Sequence, residues 1–261
     1  MYMTTYGPES GVPLLFLHGG TGTGESHWKR QIKPFSEAGY RLYIPDLPGH
    51  GESVLDDPET YNRQVLIDAV VELLEAKGPM VCVGFSMGGH TLLGMLQDER
   101  THPLVLGLVL IGVSIDDNAA LQQWRKHFHP DSFARANPLF VRGMSRRHFP
   151  QGGPDAWRDV LIRDSAGSLE VKVDLEPISR LKVPTMVMRG DRDRAVDRTH
   201  HTALREMWTH ADVCVIPAGG HDVQMLRSDL FNAILMDFLE RNDKHFVPNW
   251  ELTEDFEPAL G

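Results

Sequence analysis

Apolar runs too short to be helices recur along this 261-residue chain, and most of them end in Gly, Asp or Pro. Leu14-Leu15-Phe16-Leu17 is followed by His18-Gly19-Gly20, and Leu42-Tyr43-Ile44 by Pro45-Asp46. Met80 to Val83, Leu104 to Val113, Thr185 to Met188 and Val213 to Ile216 complete the series. A strand with one face in water alternates apolar and polar residues, whereas a run that is apolar throughout suits a strand buried on both faces, as in parallel sheets. Between these runs lie segments of helical period. Residues 60–77 place Val65, Ile67, Ala69, Val70, Leu73 and Leu74 near helical spacing and stop at Lys77-Gly78-Pro79. Residues 87–97, 199–209 and 224–240 supply further helices. The alternation predicts a doubly wound, mostly parallel α/β sheet with right-handed crossovers.

One interval breaks the rhythm. Residues 118–178 carry no strand-like run but scatter Trp124, Phe128, Phe133, Phe140, Phe149 and Trp157 among prolines, Arg and His. They predict a helical cap inserted into a core formed by residues 1–117 and 179–240. The acid-rich segment 241–261 has few aliphatics and predicts an irregular tail, packed on the surface or frayed.

Charge narrows the partners. The formal net charge is −10, and a phosphate backbone needs a basic footprint, so nucleic acid is not expected. The opening residues have neither the basic nor the apolar region of a secretion signal. The longest apolar stretch, 104–113, is about half a membrane span. A cytoplasmic protein without a membrane partner is the expectation. Cys82 and Cys214 each sit inside an apolar run, without metal-ligand spacing, and read as small buried residues.

Gly84-Phe85-Ser86-Met87-Gly88 matches G-x-S-x-G, with a strand before it and a helical segment after it. A tight strand-to-helix turn holds a serine hydroxyl clear of the sheet, and the helix N-terminus offers free N–H groups to developing negative charge. Such a serine needs a base, and the base needs an acid to orient it. Among thirteen histidines, His221 follows the last strand and the turn Pro217-Ala218-Gly219-Gly220, on the edge where Ser86 is expected. His90 lies one helical turn beyond Ser86, His50 lies in a glycine turn, and His200, His201 and His210 flank what reads as a surface helix. For the acid, Met186-Val187-Met188 leads into Arg189-Gly190-Asp191-Arg192-Asp193. Asp193 is favoured over Asp191, which is closer to the glycine turn, with Asp116, Asp117 and Asp197 as alternatives. Two backbone N–H groups would form an oxyanion hole: Met87, after the nucleophile, and Gly20, in the glycine loop after the first apolar run. That loop lacks the frames of phosphate-binding motifs.

In order, His18-Gly19-Gly20, the Asp46–Ser53 turn, the Ser86 pentapeptide, Gly190–Asp193 and Gly219-Gly220-His221 resemble the α/β-hydrolase superfamily, closest to its esterase, lactonase and C–C-hydrolase branch with a helical cap. The resemblance implies Ser86 as nucleophile, His221 as base, Asp193 as acid, Gly20 and Met87 at the oxyanion hole, and no metal or organic cofactor. It implies a small-molecule ester or lactone as substrate, and a structural role for Asp46–Ser53. The cap aromatics point to an apolar or ring-bearing substrate, and Asp116 and Asp117 to a cationic group on it.

Overall fold

The computed structural model describes residues 1–116, 122–123, 126, 129–165 and 172–246. Seven strands form one sheet in the order β1-β3-β2-β4-β5-β6-β7. They are β1 Met3–Tyr6, β2 Pro13–Leu17, β3 Arg41–Pro45, β4 Met80–Phe85, β5 Val105–Ile111, β6 Thr185–Gly190 and β7 Asp212–Ile216. All pairings are parallel except β1 with β3. The predicted doubly wound sheet is therefore present. The antiparallel β1 was not foreseen, since Met3-Thr4-Thr5-Tyr6 is too polar and too short to read as a strand.

The apolar runs are explained by two cores. Met80 and Cys82 face a layer built by α2 (Arg63–Lys77), α3 (Met87–Met95) and a later helix bearing Leu204. Val81, Val83 and Phe85 face the opposite layer, where α1 (Gly24–Glu37) supplies Trp28 and Phe35 and the last long helix supplies Phe231 and Phe238. Helix starts follow local chemistry. Thr23 and Ser26 form a reciprocal capping box at α1, and the Asn62 side chain accepts from Val65 N–H at α2. The double-sided pattern fails at one place. β7 is an edge strand, its Val213 and Val215 are exposed and Cys214 is half-buried, so the Cys214 expectation holds in part. Cys82 is fully buried.

Between β5 and β6 the described residues hold helices: α4 Pro130–Ala136, α5 Pro138–Arg147, α6 Trp157–Ser165 and α7 Leu175–Ser179. A small cluster of Met144, Trp157 and Leu161 packs within them. After β6 come α8 (Arg198–Met207), β7, α9 (Val223–Leu226) and α10 (Ser228–Asn242). Helix α8 is less superficial than the sequence implied: His200 and His201 are buried, His201 Nε2 meeting the Val187 carbonyl at 3.1 Å. The C-terminal segment does not leave the core at residue 241, since Phe246 packs into the second layer. Among the described residues no helix is long and apolar enough to cross a membrane.

Register places the site. Leu17 pairs with Gly84, Phe85 with Ile111, Ile111 with Met188, and Gly190 with Ile216. The carboxyl ends of five strands thus form a single rim. The strand order turns back between β2 and β4, the point where crevices open in doubly wound sheets.

Candidate active site

Ser86 sits at the turn between β4 and α3 with φ +48°, in the left-handed region that a residue with a Cβ enters only at a cost. Its N–H bonds the Ile111 carbonyl at 2.9 Å, which ties the turn to β5. The flanking glycines make room. A Cβ on Gly84 would lie 2.6 Å from Gly89 Cα, and one on Gly88 would lie 2.5 Å from the Leu17 carbonyl oxygen. Gly88→Ala should therefore push α3 off β2 and cost roughly 1–3 kcal/mol, readable as a lower denaturation midpoint.

Three loops from different strands meet there. Ser86 Oγ lies 3.0 Å from His221 Nε2, and His221 Nδ1 lies 2.9 Å from Asp193 Oδ2. The other Asp193 oxygen accepts from Ala195 N–H at 2.8 Å and Val196 N–H at 3.1 Å, so the carboxylate is held at both ends. Burial alone would raise the Asp193 pKa, but the His221 charge and these bonds hold it below the ordinary value. Burial alone would lower that of His221, yet Asp193 and then Asp222 raise it.

The rival residues are elsewhere. Asp191 Oδ1 accepts from Gly219 N–H at 3.0 Å and closes the His221 turn, while Asp197 caps α8. Asp116 is 66% exposed beside His200. His90 does not reach back to Ser86; its Nε2 meets Ser114 at 3.1 Å. Asp117 lies outside the described residues.

The N–H groups of Gly20 and Met87 both border the cavity above Ser86, and neither meets a protein acceptor among the described residues. In the same loop the Gly19 N–H donates to His27 Nδ1 and the Thr21 N–H to Asp164. The cavity measures about 470 Å³, an ordinary size for a small-molecule site. Phe133 and Phe140 of the inserted helices, with Leu66, Leu161 and Met225, make it mainly apolar. Of the expected aromatics, Trp157 is instead buried among the inserted helices, and Trp124 and Phe128 lie outside the described residues. The charges facing the cavity are Arg63, Arg147, Asp164 and Asp222, not Asp116, so the basis for a cationic substrate shifts. Sequence reasoning missed Asp164 and Arg147, which stand in helices with no motif around them. It set His50 aside as a turn residue, although His50 is fully buried beneath the cavity wall and bonds Asp164.

Comparison with known proteins agrees with this architecture. Residues 14–234 match the pattern of the alpha/beta hydrolase family. The 2-hydroxy-6-oxo-6-phenylhexa-2,4-dienoate hydrolase of Burkholderia cepacia is 28% identical over 254 residues, covering 88% of each chain. The crystal structure of NosK from Streptomyces actuosus superposes with a TM-score of 0.73 at 25% identity, over 88% of this chain and 98% of that one. Est816, described as an N-acyl homoserine lactone degrading enzyme, gives 0.69 at 25% identity, over 91% and 96%. The chain belongs to the alpha/beta hydrolase family and is a hydrolase.

Proposed function

We propose that this hydrolase cleaves a carboxylic ester or lactone of a small, largely apolar or ring-bearing molecule through an acyl-enzyme on Ser86. The observation that carries the reading is the unbroken chain Ser86–His221–Asp193, at 3.0 and 2.9 Å, opening onto an apolar cavity. His221 Nε2 takes the Ser86 proton as Oγ attacks the carbonyl carbon. The Gly20 and Met87 N–H groups receive the oxyanion, each donor being worth about 3–4 kcal/mol in comparable sites. His221 then gives its proton to the leaving oxygen, and water repeats the sequence on the acyl-enzyme. Asp193 keeps the imidazole in the right tautomer and stabilises its cation. The helices between β5 and β6 act as a cap over the rim. The test is fluorophosphonate labelling of Ser86 together with many turnovers of p-nitrophenyl esters and simple lactones. An unlabelled serine, or a single turnover per chain, rejects the reading, the latter in favour of a small-molecule binding protein.

A second reading is C–C bond hydrolysis by the same triad. It is favoured by the 28% identical dienoate hydrolase and by Arg147, whose half-buried guanidinium borders the cavity over the Phe140 ring and would suit a substrate carboxylate. A kcat/KM for 2-hydroxy-6-oxo-6-phenylhexa-2,4-dienoate far above that for any ester or lactone would select it.

Either reaction requires neutral His221. Because Asp193 and Asp222 raise its pKa, kcat/KM should fall in acid with a midpoint above the ordinary 6.5 of histidine. Asp222→Asn removes one source of the increase and should move the midpoint down. A pH–rate profile of the two proteins checks both statements.

A further inference from the structure

Asp164, near the end of α6, turns away from solvent toward the loop that follows β2; its side chain is 7% exposed. Three donors converge on it. Thr21 N–H bonds Oδ2, Tyr61 hydroxyl bonds Oδ1 at 2.8 Å, and His50 Nε2 lies 3.1 Å from Oδ2. The other ring nitrogen of His50 faces the Pro48 carbonyl at 3.1 Å. Nδ1 is thus directed at an acceptor and Nε2 at the carboxyl of Asp164, and the two side chains form one buried pair. Neighbouring rings show the contrast. His18 and His148 each accept from a backbone N–H, of Leu47 and Gly51, and each face a carbonyl with the other nitrogen, so both are neutral. Burial would raise the Asp164 pKa, but His50 and the three bonds hold it below the ordinary value.

The surrounding bonds show what this arrangement governs. The Gly20 N–H belongs to a peptide whose carbonyl, on Gly19, is held by His18 Nδ1 at 2.8 Å. The next peptide is held through Thr21 N–H by Asp164, and the Thr21 carbonyl beyond it by His148 Nε2 at 2.9 Å and by Arg147. Thr21 has φ +60°, which a β-branched residue adopts only when its surroundings impose it. Here the groups that impose it, Asp164, Arg147 and His148, all come from the segment inserted between β5 and β6.

We propose that Asp164 is a positioning residue for the oxyanion hole: its bond to Thr21 N–H aims the Gly20 N–H at the reacting carbonyl, so the hole is complete only while the inserted helices are seated. This rests on the assignment of Ser86 and Gly20 above. A lone carboxylate beside a forming oxyanion would oppose it, and the bonds from Thr21, Tyr61 and His50 draw the Asp164 charge toward the protein side.

The test compares Asp164→Ala with Asp164→Asn by two readouts, p-nitrophenyl butyrate kinetics and amide hydrogen exchange across residues 19–22. Asn keeps one oxygen for Thr21 N–H and turns its amide group to His50 Nε2, so it should retain kcat within a few-fold and protect the loop. Ala should speed exchange there and lower kcat about 10- to 100-fold with KM little changed, less than the full loss of a donor because Gly20 is misaimed rather than removed. Unchanged kcat and exchange in the Ala protein overturn the proposal. So does an equal loss of kcat in both variants that merely follows a lower melting temperature, the mark of a structural role. Asp164→Ser, too short to reach Thr21, replaces Ala if that chain does not fold. A wild type that fluorophosphonate fails to label rejects the hydrolytic assignment and the oxyanion role with it, while the exchange data still report whether Asp164 holds Thr21.

Discussion

Ser86→Ala should leave a folded protein that turns over its substrate on the order of 10⁴–10⁶-fold more slowly than wild type. The substitution deletes one oxygen, the atom 3.0 Å from His221 Nε2, and leaves the Cβ that already occupies the turn at φ +48°. Neither the packing of α3 on β2 nor the bond from residue 86 N–H to the Ile111 carbonyl depends on that oxygen. Melting temperature should therefore stay close to wild type while kcat collapses and fluorophosphonate labelling disappears. Residual rate above the uncatalysed reaction would come from the Gly20 and Met87 donors acting on water attack. A variant with near-normal kcat would remove residue 86 from the mechanism.

Asp193→Asn should be nearly as damaging, with a loss on the order of 10⁴-fold in kcat and little change in fold. The reason lies in which oxygen does what. Oδ1 accepts from two backbone N–H groups, Ala195 and Val196, and an asparagine must keep its single oxygen there. Its NH₂ group then faces His221 Nδ1, which must accept. The imidazole proton moves to Nε2, where it points at Ser86 and can no longer receive the hydroxyl proton. Single-turnover acylation of the variant at high pH measures the effect. A loss below tenfold would mean that orientation of His221 comes from elsewhere, for example the Phe85 ring at 5.0 Å.

The parts of this structure that were legible in the chain are those where one local rule decides the outcome. Apolar runs such as Met80–Val83 can be buried on both faces only inside a covered sheet, and both cores confirm it. The meeting of Ser86, His221 and Asp193 was legible because each follows a strand, and parallel strands bring their carboxyl ends to one rim whatever the loop sequence. Gly20 follows from the same logic, and among the described residues its N–H meets no protein acceptor while those of Gly19 and Thr21 do.

What escaped was decided by distant contacts. Asp164 lies 114 residues from His50, and nothing near either position signals that they meet. β1 forms because β3 offers an open edge; Thr4, Thr5 and Tyr6 suit extended chain but are too few and too polar to announce a partner. The aromatics between β5 and β6 gave the right composition for an apolar cavity but not its membership, since Phe140 faces it while Trp157 is turned inward. A residue count on a helix cannot say which side faces the core until the helix is docked.

The lateral alignment of the strands also sets what this molecule can tolerate. Ser86, His221 and Asp193 ride on β4, β7 and β6, joined through matched pairs such as Phe85 with Ile111 and Gly190 with Ile216. Slippage of β6 by one position would carry Asp193 about 3.3 Å along the rim and turn its strand inside out, which no side-chain rotation could repair. Lengthening a loop beyond the rim disturbs none of those pairings. Mutational drift in this protein is therefore freer in the roof of the cavity, outside the Arg147, His148 and Asp164 contacts to Thr21, while the ladder beneath acts as the jig that keeps three atoms in line.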